Sequence, residues 1–269
     1  MGLSRKIAAF FRNYEAIGNF WQVAFARFYR KEGMIQLRLR HHPIELVMRT
    51  NSYHMFGETW INKDYDVKYL EIRQGDIVLD IGANQGFYTC YTANQGAQVF
   101  AFEPVDSTMK ILEENIRLNG FENNVVAVQK AVGLNDSPVP LFEVNHLGGG
   151  MNTTQPGFAE YARGVGLEVN EMENVPGISI AEIAKEFNIN RIRVCKLDCE
   201  GSELEILKNY PDWLIKETDA FIIEFHPNYD LKELTRLIVS WGTHQLSFAD
   251  DLPQCERSIL RAVANRLLV

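Results

Sequence analysis

The sequence predicts an α/β fold: a doubly wound, mostly parallel sheet covered by helices on both faces, with a helical and hairpin extension ahead of it. Three observations carry that expectation. From about residue 75, short apolar runs alternate with helical segments. The runs at 77–79, 98–102, 125–128, 192–197 and 220–223 are largely apolar rather than alternately polar, as parallel strands buried on both faces must be. Between the second and third runs, Asp106 stands where a helix is capped and Gly120 where it ends. Met109, Leu112 and Ile116 between them face the sheet at helical spacing.

Ahead of this pattern, Ile7, Phe10, Phe11, Tyr14, Ile17, Trp21, Phe25 and Phe28 recur mostly at steps of three and four, an apolar helical stripe across residues 3–31. Arg5, Lys6, Arg12, Arg27, Arg30 and Lys31 decorate it. The stripe predicts a surface helix packed on the main domain or on a second copy of the chain, with binding to a membrane surface as the competing reading. Ile35, Leu37 and Leu39 then alternate with polar residues, and His41-His42-Pro43 turns the chain into the apolar run 44–48, which predicts a hairpin. The expected division is therefore an extension over 1–68, for packing or substrate selection, and a main domain over 69–269. Residues 137–180 are irregular, with glycines at 148–150, Pro156-Gly157 and Pro176-Gly177, and read as an insertion covering a substrate or as surface decoration.

Composition bounds the function classes. With 46% hydrophobic and 23% charged residues the chain fills a large core, so disorder is not expected. A formal net charge of -8 repels a phosphate backbone, which argues against nucleic acid as substrate. Cys90, Cys195, Cys199 and Cys255 lack the paired C-x-x-C spacing of a zinc site and are few for a disulfide scaffold, so a reduced, cytoplasmic protein is expected. No apolar stretch approaches the roughly 20 residues of a membrane-spanning helix.

The run 78–87, Val-Leu-Asp-Ile-Gly-Ala-Asn-Gln-Gly-Phe, passes from a buried strand through a glycine turn into a helix, the edge at which an open α/β sheet receives a nucleotide-type ligand. A dinucleotide fingerprint starting at Gly82 needs glycine where Asn84 and Phe87 stand, so close docking of a pyrophosphate is not supported. S-adenosylmethionine carries no pyrophosphate. Gly82, Ala83, Asn84, Gly86 and Phe87 form the turn, and Asp80 is placed to help hold the methionine end, directly or through the loop. Glu103, closing the next strand ahead of Pro104, is placed to accept both ribose hydroxyls.

The second constellation is Lys196-Leu-Asp-Cys-Glu-Gly-Ser-Glu203. Strand periodicity puts Asp198 and Glu200 on one face, at the carboxyl edge where a reacting group lies, with helix capping by Glu200 or Ser202 as the bland alternative. Glu224 and His226 likewise share one face after the fifth run. His226 has the ordinary pKa nearest neutrality, which suits it to take a proton from a hydroxyl, and Asp198, Glu200 and Glu224 are the other candidates. Asp198 and Glu200 as metal ligands form a lesser reading, because no complete oxygen-ligand set is visible and no metal is expected.

Taken together, the 79–87 loop, Phe102-Glu103-Pro104, the 196–203 block and Ile223-Glu224-Phe225-His226 resemble the FkbM family of methyltransferases over about residues 70–230. The resemblance implies a class I methyltransferase fold of seven strands with one antiparallel strand near the C-terminus, the last two supplied by 243–248 and 258–263. It also implies methyl transfer from S-adenosylmethionine to oxygen, on a hydroxyl of a small molecule, natural product or sugar. Transfer to nitrogen or a carboxylate, a catalytically silent binding module, and a nicotinamide-dependent oxidoreductase are the competing classes.

Overall fold

The computed structural model describes residues 3–29, 33–68, 70–145, 151–226, 230–248 and 258–268. The extension comprises α1 (Leu3–Ala16), α2 (Phe20–Tyr29), the antiparallel hairpin of β1 (Met34–Arg38) and β2 (Glu45–Arg49), the single turn α3 (Tyr53–Phe56) and a π-helical turn, Gly57–Asn62. The one helix expected across 3–31 is broken at residues 17–19. The reason is local hydrogen bonding: the Asn19 side chain accepts from the Arg38 N–H at 2.9 Å and donates to the Gln36 carbonyl at 2.9 Å, while the Gly18 N–H donates to the Arg38 carbonyl at 2.7 Å. These bonds stitch the break to β1 instead of continuing the helix. The hairpin forms as its alternation predicts, with Ile35, Leu37, Leu46 and Met48 buried on one face against Ile17, Phe20, Val23, Phe56 and Trp60.

The main domain follows as β3 (Ile77–Ile81), α4 (Phe87–Ala93), β4 (Gln98–Phe102), α5 (Asp106–Leu118), β5 (Val125–Val128), β6 (Ala131–Gly133), β7 (Phe142–Asn145), β8 (Met151–Thr153), α6 (Pro156–Gly164), β9 (Glu168–Glu171), β10 (Gly177–Ser179), α7 (Ile180–Glu186), β11 (Ile192–Leu197), α8 (Glu203–Lys208), α9 (Asp212–Glu217), β12 (Thr218–Phe225), α10 (Leu231–Ser240), β13 (His244–Phe248) and β14 (Ser258–Ala264). Seven strands make one sheet in the order β13-β14-β12-β11-β3-β4-β5, parallel except for β14, which runs antiparallel to both neighbours. This is the class I arrangement, with all five expected runs among its six parallel strands. Period-two geometry divides the core: Leu79, Ile81, Phe100, Phe102, Cys195, Leu197, Phe221 and Ile223 pack on one face of the sheet. Val78, Val99, Ala101, Val194, Ala220 and Ile222 pack on the other.

Asp106 is the first residue of α5 rather than its cap. Met109, Leu112 and Ile116 are buried as expected. The extension is fixed to the domain through α5, where Asn115 and Asn119, one turn apart, present amides to the edge of β2. Their oxygens accept from the Val47 and Glu45 N–H groups at 2.7 and 2.9 Å, and their NH₂ groups donate to the same residues' carbonyls at 2.9 and 2.7 Å. Two helical side chains thus replace a neighbouring strand, satisfying backbone groups that an open edge would leave unpaired.

The chain reverses direction across the sheet between β3 and β11, adjacent strands with β4 and β5 on one side and β12 on the other. A ligand is expected at the carboxyl ends beside this switch point. The insertion expected over 137–180 holds the three-stranded β8-β7-β9 sheet with α6, and pairs β6 with β10; its glycines 148–150 lie outside the described residues, as do Arg30, Lys31 and Cys255. Cys90, Cys195 and Cys199 are free thiols.

Candidate active site

A cleft opens at the switch point. Its walls include Ile81, Gly82, Ala83, Asn84, Phe87, Glu103 and Pro104 from the loop after β3 and the end of β4, and Lys196, Asp198, Cys199, Glu200 and Glu224 from the ends of β11 and β12. Glu58 and Tyr65 from the extension and Asn152 and Thr154 from the insertion close it.

The glycine turn adopts left-handed backbone at Gly82 (φ 74°), Asn84 (φ 49°) and Gly86 (φ 83°). Asparagine is the non-glycine residue that tolerates this conformation best, together with aspartate, which explains how Asn84 stands where a dinucleotide loop has glycine. Gly82 has no alternative, because a Cβ on it would come 1.8 Å from the Asp198 carbonyl oxygen. The turn's N–H groups are spent within the protein. Those of Gly82 and Ala83 donate to the Phe102 carbonyl at 3.1 and 3.0 Å, that of Asn84 to Glu103 Oε2 at 3.0 Å, that of Gln85 to Asn84 Oδ1 at 2.8 Å, and that of Gly86 to the Ala83 carbonyl at 2.9 Å. A loop of this kind offers a ligand acceptors rather than a nest of donors, the opposite of what a phosphate needs.

Glu103 is buried and held by two backbone donors, Asn84 N–H on Oε2 and Val105 N–H on Oε1 at 2.9 Å. Burial pushes its carboxyl up to about 7, against the opposing pull of those donors and of Lys196. Asp80, expected to reach the cofactor, is fully buried and engaged from two sides: Thr89 donates to Oδ2 at 2.6 Å and the Lys196 ammonium lies 3.2 Å from Oδ1. It and Gly86 are not among the cleft-lining residues, so any part they play runs through the loop.

Lys196 was not singled out from the sequence. It occupies a buried strand position, bridging Asp80 and Asp198 (3.4 Å) and donating to the Gly82 carbonyl at 3.2 Å. Burial opposes its charge, but the two aspartates outweigh burial and hold the ammonium above the ordinary lysine range. Its one sequence signal is a lysine near the end of a run whose other charged residue is Arg193. Tyr65 gave no signal, yet its hydroxyl donates to Glu224 Oε2 at 3.0 Å and lies 3.4 Å from Asp198 Oδ2. Burial and these two carboxylates keep that hydroxyl protonated well past its usual range.

Asp198 and Glu200 both reach the cleft, but not by sharing a strand face. β11 ends at Leu197, and Glu200 sits in a left-handed turn (φ 53°) whose carbonyl accepts from the Thr153 hydroxyl at 2.7 Å. Ser202 precedes α8 without a side-chain capping bond; its hydroxyl meets Thr154 instead, at 2.9 Å.

His226 directly follows the last residue of β12. Its partners are Glu200, 3.1 Å from Nε2, and the buried Glu203, 3.0 Å from Nδ1, rather than Glu224, and it does not line the cleft. Burial opposes a charge on the ring, but Glu203 and Glu200 outweigh it and hold the imidazolium well above the ordinary histidine range. Two carboxylates beside the ring favour its protonated form, which would donate to both of them, a placement better suited to orienting Glu200 than to taking a proton. Glu203 in turn accepts from the Cys199 and Gly201 N–H groups at 2.8 and 3.0 Å, which fixes the turn carrying Glu200.

Asp198, Glu224 and His226 each bring one potential ligand atom within 4.8 Å of the others, a different set from the Asp198 and Glu200 pair considered from the sequence. The Lys196 ammonium already lies 3.4 Å from Asp198 in this cluster.

The comparisons with known proteins fall on the same residues. A model of the methyltransferase FkbM domain matches residues 80–246. The chain belongs to this family. It is similar to the hexuronic acid methyltransferase AglP of Haloferax volcanii, 27% identical over 168 residues, a match that spans 62% of this chain and 63% of that protein. It is also similar to methyltransferase sdnD of Sordaria araneosa, 24% identical over 184 residues, 60% of this chain and 70% of that one. A crystal structure of an FkbM methyltransferase from Methylobacillus flagellatus superposes with a TM-score of 0.49 at 19% identity, covering 70% of this chain and 43% of that one.

Proposed function

We propose that this FkbM-family chain binds S-adenosylmethionine in the cleft beside β3 and transfers its methyl group to a hydroxyl of a small molecule or glycan, with a sugar as the leading acceptor. The observation that carries the cofactor reading is the loop in which each N–H from Gly82 to Gly86 is already used, beside a buried carboxylate, Glu103, whose oxygens keep lone pairs for ribose hydroxyls. The cleft is acidic as well: Glu58, Glu103, Asp198, Glu200 and Glu224 face Lys130 and Lys196. That excess suits a cationic ligand and disfavours a nicotinamide dinucleotide with its pyrophosphate. The sugar preference is supported by the hexuronic acid methyltransferase among the relatives.

S-adenosylmethionine, when bound, would supply a methyl group activated by a positively charged sulfur. The chain's residues hold the partners and take up the proton. Glu103 would accept hydrogen bonds from the ribose hydroxyls of the cofactor, and the acidic ends of β11 and β12 would stabilise its charge. Most of the acceleration comes from alignment. Asp198, beside the Tyr65 hydroxyl and the Lys196 ammonium, takes the proton of the attacking hydroxyl, and Glu224 is the second carboxylate within the same network. His226 and Glu203 are positioning residues that set Glu200. In this reading the extension (1–68) and the main domain (69–269) divide the work, since Met55, Glu58, Thr59 and Tyr65 of the former line the cleft together with the strand ends of the latter.

The test pairs binding with turnover. Calorimetry with S-adenosylhomocysteine and, separately, with NAD⁺ should give a complex with the first alone. Methyl-labelled cofactor incubated with hexuronic acid glycosides and other sugar acceptors should then label oxygen. Binding without transfer to any acceptor would favour a silent binding module, label on nitrogen or carboxylate would move the acceptor class, and NAD⁺ binding would overturn the reading. Loss of transfer in a chelator, restored by a divalent cation, would support Asp198, Glu224 and His226 as metal ligands instead.

A further inference from the structure

The face that the N-terminal helices turn to solvent is aromatic. On α2, Trp21, Phe25 and Phe28 follow one another at steps of four and three, so they share one side of the helix, and they are 67, 64 and 80% exposed. Phe10 and Phe11 of α1 are 43 and 56% exposed. Ring contacts make the patch continuous between the helices: the Phe10 ring lies 5.7 Å from Phe11 and 6.2 Å from Trp21, and Tyr29 lies 4.2 Å from Phe25 and 5.0 Å from Phe28. The inward residues Ile17, Phe20 and Val23 already bury themselves against the hairpin, so the outward rings add little to this chain's own core. An exposed apolar patch of several large side chains marks a surface that meets a partner.

Charge points to the partner. The first forty residues carry eight Lys or Arg against two Glu, a net charge of +6, whereas the remaining 229 carry 19 basic against 33 acidic residues, a net charge of -14. The asymmetry is concentrated where the aromatics are: α1 contains Arg5, Lys6 and Arg12 with Glu15 as its one acid, and Arg12 is exposed next to Phe11. Arg27 is turned inward, its guanidinium 3.8 Å from the Tyr53 ring centroid.

We propose that α1 and α2 dock this protein on the surface of an anionic lipid bilayer, the exposed aromatic rings entering the interfacial zone while the net positive charge of the first forty residues draws the segment to the headgroups. Trp, Tyr and Phe beside Lys and Arg on a short helical face are the composition that lies in such an interface. Docking is peripheral, since no helix among the described residues is long and apolar enough to cross a membrane. A second copy on the same face is disfavoured, because a two-fold contact would set one +6 segment against another.

The test is co-sedimentation of the full chain with vesicles of phosphatidylcholine alone or mixed with phosphatidylglycerol. Binding is expected to the mixed vesicles and not to the neutral ones, and to weaken as salt rises from about 0.1 to about 0.5 M. The double variant Trp21→Ser/Phe28→Ser and the single variant Arg12→Glu should each lower the partition coefficient, the former by at least about tenfold. All variants should keep the wild-type melting temperature and S-adenosylhomocysteine affinity, which separates docking from the active site. No binding to anionic vesicles would overturn the proposal. So would equal binding by the double variant, or a sedimentation-velocity dimer that those substitutions dissolve, which would give the face to a second copy.

Discussion

Glu103 makes the sharpest prediction. Its carboxyl titrates at about 7 in the ligand-free cleft, against an ordinary value of 4.5. Because the folded value is the higher one, the folded chain holds more protons than the unfolded chain between those two pH values. This group's contribution to stability therefore declines as pH rises from about 4.5 to about 7. A ligand whose ribose hydroxyls donate to the carboxylate selects the ionised form, so binding expels a proton below neutrality. For a single group at about 7, the fraction ready to bind rises by about tenfold between pH 6 and pH 8, so Kd for S-adenosylhomocysteine should fall by that factor. Glu103→Gln keeps the shape but replaces one acceptor oxygen with an NH₂ that must face the Asn84 or Val105 N–H, or the ribose. Losing a charge-assisted pair of this kind costs about 2–3 kcal/mol, on the order of 30- to 150-fold in Kd at pH 8. The pH dependence should flatten at the same time. Calorimetry at three pH values on both proteins reads all of this; a wild-type Kd that is flat from pH 6 to 8, or a variant that binds as tightly, would refute the assignment of Glu103 to the ribose.

Other expectations follow from the same geometry. Asp198→Asn should lower kcat by about 10²–10⁴ while changing S-adenosylhomocysteine affinity far less; a variant with wild-type kcat would remove Asp198 from proton transfer. Lys196→Met leaves the buried Asp80 and the half-buried Asp198 without their cation and should cost about 3–5 kcal/mol, read as a drop of roughly 10–15 °C in Tm. Gly82→Ala should fail to give stable protein, losing more than about 4 kcal/mol. The control Gly120→Ala, at φ 68° but with open space around the new methyl, should lose only about 1 kcal/mol, and equal losses would sink the steric account. For His226 the folded value lies above the unfolded one, so its ion pairs stabilise the fold fully below about 6.5 and lose that contribution as pH rises through the raised value. His226→Gln should therefore flatten the alkaline limb of stability, measured by denaturant unfolding across pH.

Much of this protein is local in origin and so was legible along the chain. Strand runs, the helix carrying Met109, Leu112 and Ile116, and the hairpin with Ile35 and Leu37 inward all follow from periodicity, because burial of one face repeats at the period of the backbone. The glycine turn, Glu103 and the acidic block after β11 were readable because a βα alternation puts strand ends at a single edge. Tertiary structure decided which of those groups meet. Lys196 closes on Asp80 across a neighbouring strand, Tyr65 reaches Glu224 over 159 positions, and His226 finds Glu200 and Glu203 rather than Glu224. It also split the first helix at Asn19, whose amide bonds to a strand 17 and 19 residues further on. Periodicity says which face a side chain takes. Charge state depends on distance and burial, and those are fixed only when remote segments pack together.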